Sequence, residues 1–103
     1  MALTTQTHLG THQFNGPHAN ASFLPSLSGV YIITRAVNNQ HEIIDVGESG
    51  NIAQRIPDHE RMGQWERVAS NGFHVWTLPA DETQRMLIEQ AHRIAYNPTC
   101  GER

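Results

Sequence analysis

Apolar positions are unevenly spread along this chain. From Met1 to about Asn20 the residues are mostly Thr, Gln, His, Asn and Gly, and no apolar period emerges. Such a segment buries too little surface to offset the entropy of ordering it, which predicts a flexible or loosely docked tail over residues 1–22. Phe23, Leu24 and Leu27 flank Pro25 and would fasten that tail to a domain spanning residues 23–103. The pattern then becomes regular. Gly29-Val30-Tyr31-Ile32-Ile33-Thr34 is β-branched and aromatic, and predicts a strand. Asn38-Asn39-Gln40 supplies turn chemistry. His41-Glu42-Ile43-Ile44-Asp45-Val46-Gly47 predicts a second strand, paired antiparallel with the first.

Ser49 or Asn51 is suited to cap a helix running over about residues 52–60. Ile52 and Ile56 mark its buried side, while Arg55 and His59 share another face. Pro57 removes a backbone donor there, so a kink or restart is expected near Ile56. Trp65 reads as a core anchor. Gly72 to Leu78 predicts a third strand, with Phe73, Val75 and Thr77 on one face and Pro79 ending it. Asp81 caps the longest helix, over about residues 82–96, with Leu87, Ile88, Ala91, Ile94 and Ala95 as its apolar stripe. Asn97-Pro98 stops it. The order β-β-α-β-α predicts an α/β (α+β) fold, a small three-stranded antiparallel sheet flanked by helices.

Composition narrows the function classes. A chain of 103 residues has room for one core, and its 38% hydrophobic content is depressed mainly by the first twenty residues. The formal charge is −3 and the pI about 6.1, with arginine supplying all seven basic side chains. Phosphate neutralisation provides most non-specific nucleic-acid affinity, so this balance argues against a general DNA-coating protein. A local cleft built from arginine forks stays open. The single cysteine, Cys100, excludes an internal disulfide and fits a reducing compartment. With no apolar run near 18 residues and no basic-then-apolar leader, a cytoplasmic protein with no membrane contact is expected. Asn20-Ala21-Ser22 matches a glycosylation acceptor by chance on that view. His8, His12 and His18 lack a second cluster of metal ligands.

Gly29-Val30-Tyr31, Asp45-Val46-Gly47, Arg55 with His59, and Glu89 followed by Tyr96 and Pro98 occur in the order and spacing of the GIY-YIG nucleases. The chain resembles that family over about residues 27–101. The resemblance implies a GIY-YIG-like metal-dependent endonuclease hydrolysing phosphodiester bonds in DNA or RNA. It implies catalytic roles for Tyr31, Asp45, Arg55, His59 and Glu89. Tyr31 would orient or deprotonate water, His59 would shuttle a proton, and Arg55 would clamp phosphate. Glu89 would hold Mg²⁺ or Mn²⁺, an ion that needs only one or two protein carboxylates. Gly47, Glu48 and Arg55 would line the substrate. Two positions depart from the pattern: Asp45 replaces the second motif's tyrosine, and Gly101 stands where the family has asparagine. Asp45 in a strand needs a specific partner, for which Arg55 is suited; it would act as metal ligand or base. The alternatives are a catalytically inactive nucleic-acid-binding module and a protein-interaction module using the tail or exposed Trp65 and Trp76. A domain this small would take its specificity from a homo-oligomer or a protein partner.

Overall fold

The structure, a computed structural model, describes residues 1–19 and 23–101. Its strands are β1 (Ala2–Thr7), β2 (Gly10–Ala19), β3 (Gly29–Val37), β4 (Gln40–Ser49) and β5 (Phe73–Pro79). Its helices are α1 (Ile52–Arg55), α2 (Met62–Val68) and α3 (Glu82–Tyr96), with one 3-10 turn at Ile56–Asp58. The strands pair antiparallel in the order β1-β2-β5-β3-β4 and curl into a half-barrel.

This corrects the expected three-stranded sheet. The three strands read from the sequence are present as β4-β3-β5, but two more precede them. They are formed by residues expected to be a tail. β1 alternates with Leu3, Thr5 and Thr7 turned inward and Ala2, Thr4 and Gln6 exposed, and threonine is a good strand former. In β2 a single fully buried Phe14 supplies most of the apolar burial. The other tie is polar: Thr5 Oγ1 and His92 Nε2 lie 2.6 Å apart, fully buried. A strand held by one aromatic and one hydrogen-bonded threonine carries little hydrophobic signal. The glycosylation pattern at 20–22 lies outside the described residues.

The β3–β4 turn places Asn38 at φ 52° and Asn39 at φ 66°. Those values suit a two-residue hairpin loop whose twist matches its strands. Asn51 caps α1 by accepting from the Gln54 N–H, and Asp81 caps α3 by accepting from Gln84. Pro57 does divide the first helical segment, sitting at the start of the 3-10 turn where its missing N–H costs nothing.

The sheet separates two cores. On one face Tyr31, Ile33, Ile52, Ile56, Trp65 and Phe73 pack beneath α1 and α2. On the other, Phe14, Val30, Ile32, Val46 and Trp76 pack against Ile88 of α3. Both tryptophans are buried, so neither offers the exposed surface considered for partner contact. The buried side of α3 is Ile88, Ala91 and His92, whereas Leu87 and Ile94 are 49% and 76% exposed. The expected stripe is therefore rotated, because His92 is buried once both ring nitrogens are hydrogen-bonded, to Thr5 and the Ile88 carbonyl. No helix among the described residues is long and apolar enough to cross a membrane.

Candidate active site

Pairing between β3 and β4 shifts register between Ile33 and Thr34, which oppose Asp45 and Ile43, so Ile44 is the extra residue of a β-bulge. A bulge re-aims the side chains around it. Ile44 and Tyr31 join the core beneath α1 and α2, and the carbonyl freed at Ile44 accepts the Cys100 N–H at 2.8 Å. Asp45, fully buried, becomes the centre of a polar network. Its Oδ2 accepts from Arg61 Nε at 2.7 Å and from the Trp65 indole N–H at 2.6 Å. Its Oδ1 accepts from Arg93 Nη2 at 2.6 Å and from the Val46 N–H at 2.8 Å. The partners of Asp45 are thus Arg61 and Arg93, not Arg55. Arg55 instead pairs with Glu60 at 2.8 Å.

Gly47 faces Tyr31 directly across the β3–β4 pair. A Cβ at residue 47 would fall on the Tyr31 hydroxyl and ring, so only glycine leaves the phenol room to lie over β4. His59, at the end of the 3-10 turn, meets that hydroxyl with Nε2 at 2.7 Å. The Arg61 backbone N–H donates to His59 Nδ1 at 3.0 Å. Nδ1 is therefore the acceptor, and the neutral ring carries its proton on Nε2 and donates it to Tyr31. The Tyr31 proton is left to point elsewhere. Burial pushes the His59 pKa down to about 4, helped by Arg55 and Arg61. Burial raises Tyr31 well above its ordinary value, against the opposing pull of Arg61. At neutral pH both groups are uncharged. Both side chains are buried and neither lines an open hollow, so the phenol does not reach solvent at rest; with its Nδ1 occupied, His59 is not arranged as a shuttle, and Tyr31 is too weak an acid to be the resting base.

Two open hollows flank this pair. One, about 430 Å³, is lined by Ser49, Asn51, Gln54, Arg55 and Asp58 among others. The second, about 390 Å³, is lined by Glu60, Arg61, Glu89 and Arg93. The Arg55–Glu60 ion pair spans the boundary between them. Glu89 also pairs with Arg93 at 3.0 Å, one helical turn away. Asp45, Glu60 and Glu89 are thereby matched by Arg61, Arg55 and Arg93, and Asp58 leaves the cleft one carboxylate in excess. Glu48 is elsewhere: it pairs with Arg85 at 2.7 Å, beside Ser28, and does not line either hollow.

The structure thus brings Tyr31, Gly47 and His59 into contact, with Arg55 and Glu89 in adjoining hollows. Neither Arg61 nor Arg93 was read from the sequence as a site residue, because Arg93 looks like an ordinary surface partner of Glu89 one turn away and Arg61, just before α2, belongs to no motif. Gly101, where the related pattern has asparagine, has φ 99°, and a Cβ there would come within 2.7 Å of Arg93 Nη2. Arg93 fills the space that an asparagine would need. Asn97 is the left-handed C-cap of α3. Searches for a matching family model, a curated relative and a similar solved structure each found none.

Gly47→Ala is expected to push the phenol off β4 and break its contact with His59. A loss of about 1–3 kcal/mol is anticipated from overpacking a filled site. Urea unfolding checks it; a change below about 0.5 kcal/mol would mean the tyrosine relocates freely.

Proposed function

We propose that this chain is a divergent GIY-YIG-like phosphodiesterase cleaving DNA or RNA in the cytoplasm. The observation that carries the reading is the Tyr31 hydroxyl lying over Gly47 and held by His59, with Arg55 one turn before it. Those four residues were read from three separate stretches of sequence, and Arg55, whose charge acts on both Tyr31 and His59, opens onto a hollow.

A divalent ion fits this donor set in a limited way. The described residues gather no group of three or more His, Cys, Asp and Glu suited to a metal. Asp45 has both oxygens occupied. Glu89, with a fifth of its side chain exposed and a single arginine partner, is the carboxylate that would hold Mg²⁺ or Mn²⁺, the remaining ligands being water and phosphate. Once bound, the ion would supply Lewis-acid stabilisation of the phosphoryl charge. Arg55 binds the phosphate after exchanging Glu60 for it, and Tyr31, buried at rest, reaches an oxygen only where the turn carrying His59 yields.

The test is cleavage of plasmid DNA and a structured RNA with Mg²⁺ or Mn²⁺, comparing the wild type with Glu89→Ala. The variant is expected to lose at least about 100-fold in rate, the scale of removing a principal electrostatic stabiliser. Wild-type activity no higher than that of Glu89→Ala overturns the reading. The saturation of Asp45 and the ion pairing of Glu60 and Glu89 favour a second reading, a nucleic-acid-binding module without cleavage. That reading expects salt-dependent oligonucleotide binding and no product.

A further inference from the structure

We propose that Arg61 is a second phosphate-binding residue of the cleft and that Asp45 is the residue that positions it. The proposal rests on the cleft being a nucleic-acid site. Asp45 is fully buried and cannot meet a substrate itself. Its two oxygens instead fix the guanidinium of Arg61, Nε at 2.7 Å and Nη2 at 3.4 Å. Both contacts use one edge of the planar fork. Nη1 makes no hydrogen bond among the described residues, and 22% of the side chain is exposed on the wall of the 390 Å³ hollow.

Arg93, on the same wall, is differently committed. Its Nη2 donates to Asp45 and to the Val46 carbonyl, its Nε to Glu89 and its Nη1 to the Cys100 carbonyl. Arg93 locks the network, whereas Arg61 keeps donors to give. Arg61 is also the charge acting most strongly on the Tyr31 phenol. A phosphate held by Arg61 would sit in the 390 Å³ hollow beside Glu60, whose partner Arg55 lines the adjoining one. A phenol in place of Asp45 would offer no anion to orient Arg61. Asp45 thus serves as a buried anchor for an added cation.

The measurement is equilibrium binding of a short labelled oligonucleotide, as DNA and as RNA, across a salt series in EDTA. The proteins are the wild type, Arg61→Ala, Arg61→Lys, Asp45→Asn, the Asp45→Asn/Arg61→Ala double variant and Arg35→Ala, with urea unfolding to confirm that each is folded. Losing one phosphate contact reduces the slope of log affinity against log salt by about 0.7–0.9. Arg61→Ala is expected to show that reduction with roughly tenfold weaker binding. Arg61→Lys should restore the slope, and Arg35→Ala, which removes an arginine that pairs with Glu42 and lines neither hollow, should leave it unchanged. Asp45→Asn should weaken binding through a disordered Arg61, an effect absent when combined with Arg61→Ala. A wild-type slope in folded Arg61→Ala overturns the proposal, whether or not the wild type cleaves. Wild-type binding that loses slope in Arg61→Ala, together with no cleavage in the Mg²⁺ or Mn²⁺ assay above, overturns the nuclease reading and sustains this one. No wild-type binding to either oligonucleotide overturns both.

Discussion

Asp45→Ala is expected to lower the stability of the protein by about 3–5 kcal/mol, the cost of removing one partner from a buried ion pair. The carboxylate has no exposure, and five donor contacts from Arg61, Arg93, Trp65 and the Val46 backbone converge on it. Removing it leaves the indole N–H buried without an acceptor and two guanidiniums facing each other across a cavity. Each consequence is unfavourable by itself. Asp45→Asn keeps the shape but turns an amide N–H₂ toward donors, so it should recover only part of the loss. The urea midpoint should fall with an unchanged slope. A loss under about 1 kcal/mol for Asp45→Ala would show that the arginines find water instead, and that the network does not hold β4 to α2 and α3.

The second large effect is loss of stability in acid. His41, His59 and His92 all have pKa values held below the ordinary histidine value, each chiefly by burial. A depressed folded pKa means the unfolded chain takes up protons first. The stabilisation is complete above about pH 6.5 and is lost as pH falls through the folded values. His59, at about 4, contributes on the order of 3 kcal/mol across that interval. Tyr31 acts at the other end: its folded pKa is raised, so its contribution is complete below pH 10 and declines above it. Unfolding free energy against pH should therefore be flat from about 6.5 to 10 and fall on both sides. Replacing His59 by glutamine should flatten the acid limb; an acid limb unchanged in that variant would remove His59 as its cause.

Gly47 must be glycine because Tyr31 crosses it, although the sequence suggested a substrate-lining residue there. The caps at Asn51 and Asp81 and the Asn38-Asn39 turn were legible because short-range residue preferences announce them. The hairpin of β1 and β2 was not. Its inward positions mix Leu3, Thr5, His12 and Phe14, tied to α3 by the Thr5–His92 hydrogen bond and by ring contacts of His12 and Phe14 with His92 that no local pattern announces. The rotation of α3 was hidden likewise, since His92 belongs inside only because Thr5, 87 residues earlier, is there to meet it. Asp45 was recognised as needing a partner, but choosing Arg61 and Arg93 over Arg55 required knowing where the bulge at Ile44 aims it.

The strand order carries a consequence for synthesis. β2 pairs with β5 and makes no pairing with β3, although β3 follows it in the chain. A chain emerging from the ribosome can close the β1–β2 and β3–β4 hairpins early, since each closes a short loop. It cannot join them until Phe73–Pro79 has appeared to lie between them. The Thr5–His92 and Gln6–Tyr96 bonds must wait longer still, until α3 has formed. Assembly is thus gated by its last third, and high sequence separation of this kind slows folding. Until then the first hairpin is a nascent element with nowhere to dock.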